Sequence, residues 1–332
     1  MKASGRRDSP RPSGVPGWFI KGDWGSVDDK RLSRGLACRR ASSVRLKYLG
    51  TARWEISDGR TVVLIDPYLS RLRMTTPNDD VRPGDPRPLF ARDAAAQSDA
   101  ATIDAHITRA DFILITHTHA DHAMDLPYIA TKTGAIVLGS ESTRNVARVY
   151  GVPNDKPIVA RGGDDLEFGN VSIRVIASLD GILRRAPFLL VNPNAAPAST
   201  VVPLDVNAPL RLNQFVEGGT LAYLIRIGGK QLLAFGSVNF IEREVDGLRP
   251  DVALAGAMPE RREIHEYTSR LLRATGYPRL VLPTHWDRFN VTYDVSQAPA
   301  IERLQSFIAE VKAASPKTTV IVPEYFMPIE VR

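Results

Sequence analysis

The chain has 332 residues, of which 43% are hydrophobic and 24% are charged, and this composition excludes a wholly disordered, collagen-like or coiled-coil protein. No run of 18 apolar residues occurs, so no transmembrane helix is predicted. The single cysteine, Cys38, excludes an intramolecular disulfide and any zinc or iron–sulfur site built on several cysteines. A bound metal would therefore be held by His, Asp or Glu.

The net charge of +6 is concentrated at the N-terminal end of the sequence. Residues 1–47 carry a balance of +8 and the remaining residues carry −2. Residues 1–43 are rich in Pro, Gly and Arg and lack apolar periodicity, which predicts a disordered basic tail. We expect no nucleic-acid binding, since such domains cluster basic residues on a folded face; a nuclease with a nucleic-acid-binding tail is the weaker alternative. The absence of a continuous apolar segment near Arg6-Arg7 or Arg39-Arg40 favours a cytoplasmic protein.

From Val44 onward, alternating and continuous apolar segments predict strands, and apolar residues at helical spacing predict helices. Long loops are predicted at 71–100, with a short helix near 94–96, and at 182–218. The predicted strands are 44–49, 53–56, 61–65, 111–116, 135–138, one near 158, 166–168, 171–177, 221–227, 231–235, 252–255, 279–282 and 318–322, and the predicted helices are 123–133, 141–150, 264–275 and 300–313. Two groups of strands with helices between and after them predict an α/β fold with sheets inside and helices outside.

Three of the six histidines lie in one short segment, His117-Thr118-His119-Ala120-Asp121-His122. This segment follows an apolar strand and precedes a helix, so it is predicted to lie at the C-terminal end of a strand, a common location for α/β sites. Imidazole and carboxylate groups are ligands for zinc, iron or manganese. Alternation in a tight turn would send His117 and His119 to one side and Asp121 and His122 to another, so that one loop serves two adjacent metal positions.

This segment resembles the H-x-H-x-D-H signature of the metallo-β-lactamase fold superfamily. The resemblance extends to Tyr48-Leu49-Gly50, to Leu64-Ile65-Asp66-Pro67 and to Pro283-Thr284-His285-Trp286-Asp287. It spans roughly residues 44–325 and looks nearest to the subgroup of ascorbate-phosphate lactonases and N-acyl-phosphatidylethanolamine phospholipase D enzymes. It implies a four-layer αββα sandwich over residues 44–332 with two metal ions at the sheet ends.

The resemblance also implies roles for particular residues. His117 and His119 resemble two ligands of a first metal, and Asp121, His122 and His285 resemble the three ligands of a second. Asp121 would in addition orient the nucleophile, and Asp66 resembles the carboxylate that steadies the histidine loop.

Two positions depart from the family pattern. Where the family has a histidine, this sequence has Ser178-Leu179-Asp180-Gly181, and where it has Gly-Asp, with an Asp that bridges both metals, this sequence has Gly236-Ser237. Either Asp180 supplies the third ligand of the first site or it is an ordinary turn residue before Gly181. The sequence therefore predicts one complete site for Zn²⁺, with Mn²⁺ or Fe²⁺ as alternatives, and a second, weaker site that depends on Asp180.

Several neighbours of these residues have two interpretations. Trp286 either packs the loop or stacks on substrate, and Asp287 either accepts a hydrogen bond from a ligating imidazole or caps a turn. Arg184 and Arg185 either bind a phosphate or carboxylate of the substrate or are simply solvated.

The predicted activity is metal-dependent hydrolysis of an ester, lactone, amide or phosphodiester bond in a small-molecule substrate, with a metal-bound hydroxide as nucleophile. The long loops would shape the pocket. The alternative is a non-catalytic metal-binding or scaffold member of the fold, because Ser237 is a poor replacement for a bridging carboxylate.

Overall fold

A computed structural model describes residues 43–74, 85–181 and 207–332. Within these ranges, fourteen strands form two seven-stranded sheets. The first sheet contains β1 (Val44–Gly50), β2 (Arg53–Ser57), β3 (Val62–Ile65), β4 (Phe112–Leu114), β5 (Ile136–Gly139), β6 (Pro157–Val159) and β14 (Pro328–Val331). The second contains β7 (Asp165–Glu167), β8 (Val171–Ala177), β9 (Leu221–Ile227), β10 (Lys230–Phe235), β11 (Val252–Gly256), β12 (Leu280–Thr284) and β13 (Thr319–Val320).

Both sheets are mixed. The first has the strand order β14-β1-β2-β3-β4-β5-β6, and β3, β4, β5 and β6 are parallel to one another. The second has the order β13-β12-β11-β10-β9-β8-β7, in which β10 to β13 are parallel and β9 is antiparallel to both its neighbours. Because of this arrangement, β8, β10, β11 and β12 all run in one direction, and their C-terminal ends share one edge of the sheet.

Helices cover the outer faces. The structure contains α1 (Ala100–His106), α2 (Ala120–Ala123), α3 (Leu126–Thr133), α4 (Glu141–Val149), α5 (Glu242–Val245), α6 (Tyr267–Ala274) and α7 (Ala298–Ala314). Buried side chains of α1, α3 and α4 pack with Leu64 and Ile113 of the first sheet. Those of α6 and α7, such as Leu271 and Phe307, belong to the same core as the strands of the second sheet. The four-layer αββα prediction is confirmed.

The two-sided burial of the central strands explains why they are continuously apolar. In β3, Val63 and Ile65 belong to the core that both sheets share, while Leu64 belongs to the core beneath the helices. Neighbouring side chains of a strand point to opposite faces, so a strand covered on both sides needs apolar residues at every position. Within the described ranges, no helix combines the length and apolarity needed to cross a bilayer.

Some predicted elements differ from the observed ones. The helix predicted near 94–96 is absent there, and α1 begins instead after Asp99, whose carboxylate accepts a hydrogen bond from the Thr102 amide as a helix N-cap. The helix predicted at 123–133 is observed as α3, which begins at Leu126, and the separate short helix α2 begins within the histidine segment. The strand predicted at 318–322 shortens to β13, and β14, which the sequence analysis missed, pairs with β1 at the edge of the first sheet. The predicted tail and parts of both long loops lie outside the described residues.

Candidate metal centre

The candidate site is assembled from residues that directly follow strands in both sheets. Asp66 follows β3, the histidine segment 117–122 follows β4, Asp180 follows β8, Ser237 follows β10 and His285 follows β12. The Tyr223 hydroxyl in the second sheet donates a 2.7 Å hydrogen bond to the Ile115 carbonyl in the first. The strands that carry the site are therefore tied together across the interface of the two sheets.

The first donor set consists of His117, His119 and Asp180. Their ligand atoms lie within 4.8 Å of one another. Asp180 Oδ1 is 3.7 Å from His117 Nε2, and Asp180 Oδ2 is 3.3 Å from His119 Nδ1. The structure thus places Asp180 beside the two histidines, in the position that the first of its two interpretations requires.

The second donor set consists of Asp121, His122 and His285, whose ligand atoms also lie within 4.8 Å of one another. Asp121 Oδ2 is 3.5 Å from His122 Nε2 and 3.4 Å from His285 Nε2. The ring centroids of His117 and His122 are 3.9 Å apart, so the two sets adjoin. His117 and His119 thus lie in one set and Asp121 and His122 in the other, although Asp121 and His122 lie on α2 rather than in a tight turn of alternating residues.

Asp66 contacts both Thr116, which precedes the histidine segment, and His122 within it. Its buried carboxylate accepts hydrogen bonds from the Thr116 amide at 2.7 Å and the Thr116 hydroxyl at 2.6 Å, and its Oδ2 lies 2.9 Å from His122 Nδ1. A carboxylate beside Nδ1 favours a proton on that nitrogen, so in the neutral imidazole the lone pair is on Nε2, which faces Asp121. Gly236 is required beside this contact, because a Cβ at that position would lie 1.9 Å from Thr116 Oγ1.

The protonation of the second donor set is strongly perturbed by its neighbours. Burial would raise the pKa of Asp121, but the imidazoles of His122 and His285 outweigh this effect and hold the pKa well below its usual range. Burial would lower the pKa of His122, but the carboxylates of Asp121 and Asp66 outweigh it and raise the pKa. A metal ion bound at His122 Nε2 competes with a proton for that atom, so the raised pKa couples metal binding to proton release.

The surroundings of the first donor set also shift the pKa values of His117 and Asp180. Burial and the nearby His122 lower the pKa of His117 well below its usual value, so this imidazole is neutral at pH 7. Burial would raise the pKa of Asp180, but His117 and His119 outweigh it and lower the pKa to about 2. A neutral imidazole and an ionised carboxylate are the forms that bind a divalent metal.

The residues present fit a pair of divalent cations. Each set offers three nitrogen or oxygen donors, and a catalytic zinc site uses three protein ligands and leaves a position open. The Ser237 hydroxyl is buried beside Asp180 and helps to lower the pKa of that carboxyl.

The site opens to solvent on the side of the first donor set. His119 is 40% exposed and Asp180 is 30% exposed, whereas the side chains of His117 and His122 are each 2% exposed. The exposed Leu179 adjoins Asp180 on the same loop. A substrate can therefore reach the donor atoms from this side, while the buried histidines remain fixed by the fold.

Other residues singled out from the sequence have different surroundings. Trp286 is 8% exposed and stacks on Tyr48 with ring centroids 6.0 Å apart, so it packs the loop as the first interpretation describes, and substrate contact stays a prediction. In the described part of the chain, the hydrogen bonds of Asp287 come from tyrosines, an arginine and a backbone amide rather than from an imidazole. Arg184 and Arg185 lie outside the described residues.

The sequence analysis missed three residues that support the site, namely Thr116, Thr51 and Arg71. Thr116 precedes the histidines and anchors Asp66. Thr51 lies at the β1–β2 turn and accepts a 2.6 Å hydrogen bond from the His285 amide. Their residue types carry no signal by themselves. Positive φ angles at Thr51, Asp66, Arg71 and His285 mark strained positions around the site, but these are visible only in the structure.

Comparison with known proteins identifies the family. The family described as "Beta-lactamase superfamily domain" matches residues 45–285. A relative from Heliobacterium modesticaldum, named UPF0173 metal-dependent hydrolase, is 24% identical over 262 residues, which are 75% of this chain and 84% of the relative.

Solved structures agree with this assignment at the level of the fold. Igni18, described as a metallo hydrolase from the hyperthermophilic archaeon Ignicoccus hospitalis, has a TM-score of 0.53 and 16% identity over 87% of this chain and 99% of its own. CmlA, a diiron β-hydroxylase from Streptomyces venezuelae, has a TM-score of 0.50 and 16% identity over 87% of this chain and 54% of its own. Because the family match covers most of the chain and the two-sheet architecture agrees with it, the chain belongs to the beta-lactamase superfamily and has the metallo-β-lactamase fold.

Proposed function

We propose that this protein is a metal-dependent hydrolase with two adjacent divalent metal positions. The observation that carries the proposal is the meeting of two complete donor sets at one edge of the sheets, His117–His119–Asp180 and Asp121–His122–His285. The name metal-dependent hydrolase borne by the Heliobacterium relative supports the same activity.

The donor chemistry favours zinc, with manganese and iron as alternatives. Four imidazoles and two carboxylates provide nitrogen and oxygen ligands, which suit all three metals. The diiron description of CmlA shows that this fold also accommodates iron in a neighbour. Asp180 takes the place of a third histidine, and Ser237 adds no negative charge where the family has a bridging carboxylate. We expect the first position to bind its ion more weakly than the second.

In this proposal, the three buried histidines bind metal and Asp121 also orients the attacking water. A divalent cation held by these residues would lower the pKa of a coordinated water to about 7 and would polarise a carbonyl or phosphoryl oxygen of the substrate. Asp121, whose pKa is held well below its usual range, would accept a hydrogen bond from the attacking water and so fix its direction. The buried His117, His122 and His285 would hold the donor atoms from the segments that follow β4 and β12.

The substrate reaches the site past Leu179, which is 44% exposed. Its backbone forms an antiparallel bridge with Asn239, so this apolar side chain is held at the rim rather than on a free loop. We therefore favour a small substrate with an apolar group beside the scissile bond. An ester, lactone, amide or phosphodiester all remain compatible with the metal chemistry.

Metal content and turnover together test the proposal. We expect elemental analysis of the untagged protein to give close to two metal ions per chain, and Asp180→Ala to give close to one. His122→Ala is expected to abolish hydrolysis of a panel of esters, lactones, amides and phosphodiesters. Asp165→Ala, which removes an exposed carboxylate paired with Arg226 on β9, serves as the control and should leave both quantities unchanged.

Two outcomes would count against this reading. Metal bound without turnover on any substrate of the panel would favour the scaffold alternative. Protein that binds no metal under conditions in which it is folded would exclude both the hydrolase and the metal-binding scaffold.

A further inference from the structure

Asp287 lies two residues after the proposed ligand His285 but does not face the donor sets. Its fully buried carboxylate accepts hydrogen bonds from the Tyr48 hydroxyl at 2.8 Å, from the Thr51 amide at 2.7 Å and from the Tyr325 hydroxyl at 2.5 Å. These donors belong to β1, to the β1–β2 turn and to the segment before β14. One carboxylate therefore joins the loop after His285 to the β1–β2 hairpin, 236 positions away from Asp287 at Thr51, and to Tyr325, 38 positions away.

The link from Asp287 back to His285 runs through Thr51. The Thr51 carbonyl accepts hydrogen bonds from the His285 amide at 2.6 Å and from the Thr284 hydroxyl at 2.9 Å. Thr51 and His285 have φ angles of 52° and 53°, a left-handed conformation that residues other than glycine adopt only when their surroundings impose it. The hydrogen bonds on both sides of Thr51 are what impose it here.

Arg71 connects Asp287 to the loop that follows β3 of the first sheet. It lies on the loop that starts at Asp66, and its guanidinium pairs with Asp287 at 3.0 Å, with side-chain exposures of 1% and 0%. It also donates to the carbonyls of Val291 and Arg288, which belong to the loop that follows His285. The same guanidinium lies over the ring of Tyr293, 4.7 Å from its centroid.

The close packing around this ion pair leaves no room for a side chain at Gly50. Gly50 has a φ of 92°, and a Cβ at Gly50 would lie 2.4 Å from Arg71 Nη1 and 3.2 Å from Asp287 Oδ2. A residue with a side chain would displace the pair. In the described residues, Arg71 and Asp287 make no hydrogen bond to any of the six proposed ligands. Asp287 is nevertheless connected to the backbone of His285, because Thr51 donates its amide to Asp287 and accepts the His285 amide at its carbonyl.

We infer that the Arg71–Asp287 ion pair is a positioning unit for His285, which sets the geometry of the second metal position without contacting the metal. This inference rests on the proposed metal centre. In this inference, Arg71 joins two loops: the loop after Asp66, which follows the first sheet, and the loop after His285, which follows the second. It predicts that the pair controls the Asp121–His122–His285 position and leaves the His117–His119–Asp180 position unaffected.

The test is Co²⁺ titration of the full chain after its metal has been removed with a chelator, followed by absorption spectroscopy. Arg71→Lys keeps the charge but loses the planar fork, and Asp287→Asn keeps the shape but turns an amide toward Arg71. We expect both variants to bind one of the two Co²⁺ ions about 10-fold or more weakly and to shift its ligand-field spectrum. The other ion should bind as in the wild type.

Two further variants separate positioning from stability. Tyr325→Phe keeps the ring and removes only the hydroxyl, which donates to Asp287 and accepts a 3.5 Å hydrogen bond from Arg71. It should fold even if the other variants do not, and it should weaken binding of the same ion by a smaller factor. Glu310→Gln is the matched control, because it disrupts another arginine–carboxylate pair, with the buried Arg261, whose described hydrogen bonds go to none of the six proposed ligands. It should lower the melting temperature without changing Co²⁺ affinity or spectrum.

The outcomes distinguish this inference from the proposed function. If the wild-type chain binds no Co²⁺, the metal centre itself is wrong and the inference falls with it. If the wild type binds two ions while every folded variant of Arg71, Asp287 and Tyr325 keeps the wild-type affinity and spectrum, the pair is structural only and this inference is overturned.

Discussion

Substitution of Asp66 by Asn tests how the buried carboxylate prepares His122 for metal binding. Asp66 Oδ1 accepts from the Thr116 amide, and Asp66 Oδ2 accepts from the Thr116 hydroxyl and faces His122 Nδ1. Asn has only one acceptor oxygen. Its NH₂ group must therefore point either at the Thr116 amide, which is a donor, or at His122 Nδ1, where it favours the tautomer that places a proton on Nε2.

The magnitudes follow from these contacts. A hydrogen bond to a buried charged group contributes about 1.5–3 kcal/mol, so Asp66→Asn should lower the free energy of unfolding of the metal-free protein by about that amount. Loss of a partner that orients a metal-ligating histidine reduces metal affinity by about 10- to 100-fold, which is about 1.4–2.8 kcal/mol. We expect this weakening at the Asp121–His122–His285 position.

The assay pairs thermal unfolding of the metal-free chain with equilibrium dialysis against Zn²⁺. Asp111→Asn is a suitable control, because Asp111 accepts a 2.8 Å hydrogen bond from the Val62 amide at the opposite end of the same two strands, β3 and β4. It should lower stability modestly and leave Zn²⁺ affinity unchanged. Wild-type Zn²⁺ affinity in Asp66→Asn, or an equal loss in Asp111→Asn, would refute the reasoning.

Three further outcomes follow from the structure. Gly236→Ala should destabilise the protein by about 1–3 kcal/mol and weaken Zn²⁺ binding, because its Cβ would overlap Thr116; Gly181→Ala, whose Cβ meets open space, should do neither, as melting curves and dialysis will show. The Glu310 carboxyl loses stabilisation in acid: burial would raise its pKa, but hydrogen bonds from Arg261 and Thr268 outweigh this and lower it. The stability that it contributes should therefore be complete above about pH 4.5 and decline as the pH falls through its lowered pKa, a decline that Glu310→Gln should lack in acid titration of the melting temperature. A chelator should abolish hydrolysis reversibly, with activity restored by Zn²⁺, Mn²⁺ or Fe²⁺; activity that persists in metal-free protein would exclude a metal-dependent reaction.

Local sequence was sufficient to predict the central strands and the chemistry of the histidine segment. The bounds of β8 and β9 match their predicted ranges, because alternating or continuous apolar residues between turn signals leave few other conformations. The three histidines and Asp121 lie within six residues, so their common position between β4 and α3 was a consequence of spacing alone. The same locality allowed the family resemblance to be recognised and the αββα fold to be predicted.

Tertiary structure alone decided which distant residues complete and support the site. Asp180 joins His117 and His119 only because β8 and β4, in different sheets, end at a common edge. The sequence left its role open, since an Asp before a Gly is also an ordinary turn. The edge strand β14 was missed because four residues beginning with Pro328 give a weak alternating pattern, and its strand character comes from pairing with β1.

The hydrogen bonds around Arg71, Asp287 and Thr51 could not be predicted from the sequence, because their partners are far apart in the chain. Arg71 and Asp287 are separated by 216 positions, and the Thr284 and Thr51 groups that hydrogen-bond are separated by 233. Nothing in the periodicity around either member indicates the other, because periodicity reports only which face of an element is buried. The sequence therefore determined what chemistry the chain can perform, and the packing of the two sheets determined which residues hold that chemistry in place.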